Sequence, residues 1–294
     1  MSLEDPPPAD AERAAREVGR PTAPVPVRQV LQVERLTKRY DGTLAVDDLS
    51  FDVGAGEILG LVGPNGAGKT TTLRSIAGVL PIAQGSVRVC GHDIATEEEA
   101  AKRSLAWVPD DPQPYDSLTV DEHLEFTAAL YRVEDWSARA DALLELFELT
   151  EKRAALGGEL SRGMRQKLAF CCAWLPGPAV VLMDEPLSGL DPRGIRSAKS
   201  AIRELAARGT AVILSSHLLS LIEELGTDLL ILDRGRKIFE GTMEEARTTL
   251  AEHAGASTLE EIFFAATSPR RESPPAPEPE PDPATDRASG PPPV

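Results

Sequence analysis

The chain has 294 residues, a net charge of −16 and 41% hydrophobic residues. This length accommodates one large domain or two small ones, and the apolar fraction is sufficient for a packed core. The excess of acidic side chains disfavours binding to a phosphate backbone, so no nucleic-acid partner is expected.

The sequence predicts a cytoplasmic location. The longest apolar stretch, residues 168–183, is interrupted by prolines and a glycine at 176–178, and no segment has membrane-spanning length. The N-terminus is acidic and proline-rich, unlike a signal peptide. Cys171 and Cys172 are adjacent in an apolar helical pattern, so we expect small core residues rather than a metal or redox site. Any membrane association is therefore expected to come through a partner.

A phosphate-binding loop is the most specific motif of the chain. It fits G-x-x-x-x-G-K-[ST] and consists of Gly63, Pro64, Asn65, Gly66, Ala67, Gly68, Lys69 and Thr70, followed directly by Thr71. Its glycines allow backbone N–H groups to surround phosphate oxygens. Lys69 reaches the β- and γ-phosphates, and the Thr70 hydroxyl can ligate Mg²⁺. A short apolar strand, 57–62, precedes the loop and a helix, 71–77, follows it, so the chain is expected to bind a nucleotide.

The first part of the folded chain is predicted to consist mainly of strands. Residues 30–36 are expected to form an edge strand and residues 45–53 another strand. Tyr40, between them, can stack on an adenine ring, although ordinary packing is the more frequent role for such a residue taken alone. After the phosphate loop, residues 85–91 and 104–109 are predicted to form two further strands.

Two helical segments follow, and together they predict a helical subdomain that is inserted into an α/β core. The apolar face of the first segment begins at Val120, and that of the second begins at Ala140, with Ser137 as a possible N-cap. This subdomain is expected to cover about residues 115–165.

Polar groups end the later apolar segments. The stretch 178–186 is an apolar run followed by Asp184 and Glu185, the pattern of a buried parallel strand that delivers a carboxylate to the edge of a sheet. Asp191 is predicted to be an N-cap with a proline as the first helical residue. The strand predicted at 210–216 ends in His217, which taken alone is more often a structural than a catalytic histidine.

The predicted folded domain spans residues 29–267. Residues 229–239 are expected to form a hairpin, and residues 258–266 a short amphipathic helix. The flanking segments 1–28 and 268–294 are rich in proline and are expected to be disordered.

Together these motifs resemble the nucleotide-binding domain of ABC transporters, from about residue 30 to residue 266. The phosphate loop alone also fits GTPases, kinases and helicases. Its combination with the segment 160–164, the Asp184–Glu185 pair, the segment 188–191 and His217 is far narrower. The resemblance implies an α/β P-loop NTPase fold, with a RecA-like core, an antiparallel β subdomain and an inserted helical subdomain. It implies an ATPase that uses ATP and Mg²⁺.

The resemblance also implies a role for individual residues. Tyr40 would stack on adenine, and Asp184 would hold Mg²⁺ through water. Glu185 would be the general base that orients and deprotonates the attacking water. His217 would contact the γ-phosphate and stabilise charge in the transition state.

A further set would act across a dimer. Ser161 and Gly163, with Met164 beside them, would complete the nucleotide site of the opposite subunit, and Asp191 would carry signals between subunits. One phosphate loop and one such signature occur per chain. The resemblance therefore implies a head-to-tail dimer that encloses two ATP molecules and reopens on hydrolysis.

Two departures from the family pattern concern this site. Asp110 stands where the family usually has a glutamine that senses Mg²⁺, and Gln113 does not align with that position. A carboxylate at 110 could still ligate Mg²⁺ through water. The usual Leu-Ser-Gly-Gly-Gln signature has Arg162 and Met164 in place of its first glycine and its glutamine. Hydrolysis is still expected, because the phosphate cradle, the metal ligands and a water-positioning residue are all present.

The function implied by the resemblance is that of a motor subunit for separate membrane-spanning permease subunits, on the cytoplasmic face of the cell membrane. The segment 115–126 and the ending 259–264 resemble multidrug- and antibiotic-type exporters of the type-2 family, which favours export. A soluble ABC ATPase that serves a cytosolic machine, such as iron–sulfur cluster assembly, is the alternative. A non-hydrolysing regulator is disfavoured by the presence of Lys69, Glu185 and His217.

Overall fold

The computed structural model describes residues 29–40, 42–217 and 219–254. The terminal segments predicted to be disordered and the helix predicted at 258–266 lie outside these residues. In chain order, the described elements are β1 (Gln29–Tyr40), β2 (Thr43–Gly54), β3 (Ile58–Val62), α1 (Lys69–Ile76), β4 (Gln84–Val89), β5 (His92–Asp93), α2 (Glu98–Arg103), β6 (Leu105–Val108), α3 (Val120–Tyr131), α4 (Trp136–Leu146), α5 (Arg162–Trp174), β7 (Val180–Asp184), α6 (Pro192–Ala207), β8 (Ala211–Ser215), α7 (Leu219–Leu225), β9 (Asp228–Asp233), β10 (Arg236–Thr242) and α8 (Met243–Ala254).

One sheet is antiparallel and has the strand order β2-β1-β4-β5. Val33 of β1 lies opposite Phe51 of β2 on one side and opposite Val87 of β4 on the other. The prediction that residues 30–36 form an edge strand is therefore wrong. The alternation of apolar residues predicts the strand itself, but the partner strand β4 arrives after the intervening phosphate loop and α1, and no local pattern reveals that pairing.

The second sheet has the order β10-β9-β3-β8-β7-β6 and is parallel except for β10. Every residue of β3, β7 and β8 is buried. This burial explains their continuous apolar sequences, because strands covered on both faces lose the polar alternation. The segments that follow these strands emerge at the same edge of the sheet. That edge therefore brings together the phosphate loop, Glu185 and His217.

The predicted hairpin at 229–239 is confirmed as β9 and β10, and its turn contacts the phosphate loop. The backbone N–H of Gly235 donates to the carbonyl oxygen of Ala67 at 2.9 Å, and the Gly235 carbonyl accepts from the N–H of Asp47 at 2.8 Å. The turn thus joins the phosphate loop to β2 of the antiparallel sheet.

Helix α7 packs directly against the central strand β3. A Cβ atom placed on Gly60 would lie 2.2 Å from the Ile222 Cγ2 atom. Only a glycine at position 60 permits this close approach of the helix to the strand.

Helices α3 and α4 lie within the bounds predicted for the helical subdomain. Together with α5, which packs against them, they form a helical region whose core is continuous with one face of the parallel sheet. Phe147 and Phe170 stack with ring centroids 5.2 Å apart, and Trp174 packs edge-on against Phe170. The predicted N-cap at Ser137 is wrong: α4 begins at Trp136, after Asp135 in a left-handed conformation. Cys171 is buried within this core, as predicted. Within the described part of the chain, no helix is long and apolar enough to span a membrane.

Candidate nucleotide site

A cavity of about 370 Å³ lies at the edge of the parallel sheet where β3 and β7 end. Its walls bring together most of the residues predicted to bind nucleotide. They are Tyr40, Asn65, Gly66, Ala67, Gly68, Lys69, Thr70, Thr71, Asp184 and Glu185, with Ala45 in addition. Tyr40 is 41% exposed and lines this cavity.

The phosphate loop depends on glycine at specific points. Gly68 adopts φ +105° immediately before α1, and a Cβ there would lie 2.5 Å from the carbonyl oxygen of Ala45. A Cβ on Gly63 would lie 2.4 Å from the carbonyl oxygen of Leu232. At Gly66, by contrast, the space around a Cβ is open. The loop is therefore held tightly at its base and is open towards the cavity, a shape that fits a phosphate group at the N-terminus of a helix.

Lys69 supplies the positive charge of this loop. Its Nζ donates to the carbonyl oxygens of Gly63 at 2.6 Å and Pro64 at 3.3 Å. Gly63 and Pro64, which do not line the cavity, thereby contact the site through Lys69. Burial lowers the pKa of Lys69, and the carboxylates of Glu185 and Asp184 partly oppose this shift. The oppositely charged groups of the site are therefore close enough to influence one another's protonation.

The Asp184 carboxylate ends β7 and is almost completely buried, with 4% exposure. The Ser215 hydroxyl, at the end of the neighbouring strand β8, donates to Asp184 Oδ1 at 3.0 Å. Thr70 lines the same cavity and offers a hydroxyl oxygen. Oxygen ligands from one or two side chains, completed by phosphates and water, suit Mg²⁺, so these residues fit that ion.

Glu185 is the residue of the site with the most constrained backbone. Its φ is +47°, an uncommon value for a residue other than glycine. Its Oε2 lies 2.7 Å from His217 Nδ1 and accepts from the Ser216 hydroxyl at 3.4 Å. Burial raises the pKa of Glu185, whereas His217 and Lys69 lower it. A carboxylate with a raised pKa beside the phosphate loop is suited to accept a proton from water.

Sequence reasoning missed Ser215 and Ser216 as neighbours of the two carboxylates. Ser215 pairs with Asp184 in the register of β7 and β8. The signal was available, because both serines directly precede His217 at the end of a predicted strand. A hydroxyl at a strand end has many ordinary roles, so the signal is weak without the register.

A second group of predicted residues lies at the N-terminus of α5 and in the loop after β7. The Ser161 hydroxyl caps α5 by accepting from the N–H of Met164 at 3.3 Å, and Asp191 caps α6 by accepting from the N–H of Gly194 at 2.7 Å. A Cβ on Gly163 would lie 2.7 Å from the carbonyl oxygen of Gly189, so the two regions touch. In the described part of the molecule, none of these residues lines the nucleotide cavity.

The two departures from the family pattern are in contact. Arg162 Nη2 lies 3.4 Å from Asp110 Oδ1, and it donates to the Ser188 hydroxyl at 2.9 Å. Asp110 thus lies beside the α5 N-terminus and does not line the described nucleotide cavity. Sequence reasoning considered these two positions separately, and nothing in the local pattern indicated that they meet.

The sequence matches the family model described as "ABC transporter" over residues 46–188. Nod factor export ATP-binding protein I of Burkholderia thailandensis is 37% identical over 232 residues, which cover 78% of this chain and 75% of that protein. The ABC-type transporter ATP-binding protein EcsA of Bacillus subtilis is 34% identical over 220 residues, 74% of this chain and 89% of that protein.

Solved structures show the same fold. An ATP-binding subunit of an ABC transporter has a TM-score of 0.77 at 33% identity, and the match covers 81% of this chain and 99% of that one. A nucleotide-free ATP-binding cassette from an ABC transporter has a TM-score of 0.66 at 25% identity, over 80% and 98% of the two chains.

The fold and the phosphate loop define a P-loop NTPase, with an α/β core, an antiparallel β subdomain and an inserted helical subdomain. Within that class, the chain belongs to the ABC transporter family, as one of its ATP-binding proteins. It is an ATPase, as the ATP-binding cassettes of this family are.

Proposed function

We propose that this chain is the motor subunit of an ABC exporter and that it drives separate permease subunits from the cytoplasmic face of the membrane. The name of the Nod factor export relative supports the direction of transport. The names of both relatives as ATP-binding proteins support a partnership with membrane-spanning subunits.

In this proposal, the residues around the cavity carry out phosphoryl transfer from ATP to water. Tyr40 stacks on the adenine, and Lys69 binds the β- and γ-phosphates with the backbone N–H groups of the loop. Glu185 orients the attacking water and accepts its proton, while His217 holds Glu185 and faces the γ-phosphate. Mg²⁺, held by Thr70 and Asp184, would neutralise charge on the phosphate oxygens.

The observation that carries the dimer is the position of the α5 N-terminus. Ser161, Gly163 and Met164 form a helix start whose N–H groups are suited to bind anions, yet they belong to a surface separate from the chain's own phosphate loop. A second copy in head-to-tail orientation brings this helix start to the partner's γ-phosphate. Each ATP is then bound between two subunits.

A groove between the helical region and the core offers a docking surface for the permease. Its volume is about 270 Å³, and its walls come from the end of β6, the loop that follows it, α3 and α5. Trp107, Gln113 and Arg165 are among the lining residues. The same loop carries Asp110, so a helix that docks here lies close to the surface that meets the second subunit.

The dimer is tested with Glu185→Gln, which keeps the shape of the side chain but removes the base. We expect the purified variant to bind ATP without hydrolysing it and to sediment as a dimer, at twice 31.5 kDa, only when ATP is present. The double variant Lys69→Ala/Glu185→Gln is the control, because it lacks the phosphate-binding ammonium group and is expected to stay monomeric. Hydrolysis by Glu185→Gln at the wild-type rate, or a monomer in saturating ATP, would refute the assignment.

A further inference from the structure

Arg162 is an unexpected first residue for helix α5. The N-terminus of a helix carries partial positive charge, so a cation there is unfavourable. The first turn of α5 contains no acidic residue that could offset this charge. When a residue at a functional surface is unfavourable for its own helix, a contact elsewhere in the fold is expected to compensate for it.

The compensating contacts come from two different loops. The Arg162 guanidinium donates to the Ser188 hydroxyl, in the loop after β7, at 2.9 Å. It lies 3.4 Å from the Asp110 carboxylate, in the loop after β6. Its aliphatic stem covers Gly189, where a Cβ atom would lie 3.1 Å from Arg162 Cδ. One side chain therefore joins the loop after β6 and the loop after β7 to the N-terminus of α5.

A second cation of the same helix contacts the other end of the loop after β7. Lys167 Nζ lies 4.0 Å from Asp191 Oδ1 and 3.3 Å from Glu148 Oε2, and its side chain is 11% exposed. The segment 188–191 is thus attached to α5 at both ends. The contact between Arg162 and Asp110 is more exposed than that of Lys167, because both of its charged side chains are about half exposed.

We propose that Arg162 is a positioning residue that holds Asp110 and the segment 188–191 against the N-terminus of α5, so that these segments reach the partner's ATP as one unit. This inference rests on the proposed head-to-tail dimer. In a single subunit without its partner, water screens the contact between Arg162 and Asp110 and makes it weak. When a second copy covers the surface, water is excluded and the same contact strengthens. Arg162 therefore acts on turnover in the closed dimer and has little effect on ATP binding to one chain.

The test is a double-mutant cycle on steady-state ATP hydrolysis with Arg162→Ala, Asp110→Asn and the double variant. We expect each single variant to lower kcat by about five- to tenfold and to change KM for ATP by less than about twofold. We expect the double variant to be no slower than the slower single variant. Arg162→Lys keeps the charge but loses the planar set of guanidinium N–H donors, so it should recover part of the rate that Arg162→Ala loses.

A matched control is Arg103→Ala, which removes a similarly exposed arginine and its 2.6 Å ion pair with Glu99 on helix α2. Its kcat and KM should equal those of the wild type, and no Arg162 variant should shift Tm by more than the control does. Additive losses in the cycle, wild-type turnover of Arg162→Ala, or a loss of Tm in parallel with kcat would overturn the positioning role. A Glu185→Gln variant that stays monomeric with ATP would instead refute the dimer and this inference with it.

Discussion

At the scale of single residues, burial and the contact with His217 both affect how the candidate base Glu185 responds to pH. Burial raises the pKa of the Glu185 carboxyl, and the charge and hydrogen bond of His217 oppose that rise. Glu185 directly follows β7 and His217 lies two residues after the adjacent strand β8, so the two side chains meet at one edge of the sheet, 2.7 Å apart.

The pH profile of hydrolysis should therefore shift when His217 is removed. Glu185 acts as a base only when ionised, so kcat falls as the pH drops through its pKa. His217→Ala removes an interaction that lowers this pKa, and the acidic limb of the kcat profile should move to higher pH. Profiles of kcat measured between about pH 5 and 9 for the wild type and the variant test this shift. The position of the acidic limb does not depend on the maximal rate, so a general loss of activity does not affect the comparison. His92→Ala, which removes a histidine paired with Glu97, is the control. An acidic limb that stays in place or moves to lower pH would contradict the assignment.

The proximity of the principal site residues could be predicted from the sequence, whereas their fine contacts could not. Lys69, Asp184 and His217 each stand directly after or near the end of an apolar strand, and parallel strands bring such ends to one edge. The Arg162–Asp110 contact depends on two exposed side chains that are 52 positions apart. Such a contact follows from the packing of α5 against β6 and leaves no periodic pattern. The catalytic roles of these residues stay predictions.

At the scale of elements, the sequence predicted a helix start correctly where the capping residue and the first helical residue are adjacent in the chain. Asp191 and Pro192 predicted the start of α6, because an acceptor followed by a residue without an N–H satisfies the first turn. Ser137 failed as an N-cap because α4 starts one residue before it, after a backbone reversal at Asp135. The pairing of β1 with β4 lay beyond any local signal.

Helix α3 offers a test of how much one cap contributes to the helical region. The Thr119 hydroxyl accepts from the N–H of Glu122 at 3.2 Å, and the Glu122 carboxylate accepts from the N–H of Thr119 at 2.7 Å. We expect Thr119→Ala to lower the free energy of unfolding by about 1 kcal/mol. The N–H of Glu122 loses its acceptor, and the Glu122 carboxylate, which accepts from the N–H of residue 119, loses the hydroxyl that helps to orient it. Chemical denaturation measures this change. Thr119→Ser, which keeps the hydroxyl, should restore most of the stability; equal losses in the two variants would contradict the capping role.

At the scale of the whole molecule, the α5 surface and the groove beside α3 meet around the loop that follows β6. Asp110 contacts Arg162 at one end of this loop, and Gln113 lines the groove. A permease helix in the groove and a second subunit on the α5 surface would therefore both press on the same short loop. In the proposed dimer, this loop would connect the partner's ATP, at the α5 surface, to the permease in the groove.

A photoreactive side chain at position 113 tests this arrangement in membranes of the source cells. We expect it to cross-link to an integral membrane protein, and the yield to change when ATP is added to the Glu185→Gln background. The same group at the exposed Arg88 of β4, in the antiparallel sheet, is the control and should give no such product. Equal labelling from both positions, or no membrane protein from position 113, would contradict the proposed docking of a permease in the groove.

Because Gly60 has no side chain, the central strand β3 and the helix after His217 pack in direct contact, with no space between them. Because Ile222 occupies the volume that a methyl group would fill, β3 and α7 cannot slide past each other without a collision. Strand β3 leads into the phosphate loop, and α7 begins just after the histidine. We therefore expect the strand that leads into the phosphate loop and the helix after His217 to move together as one rigid body.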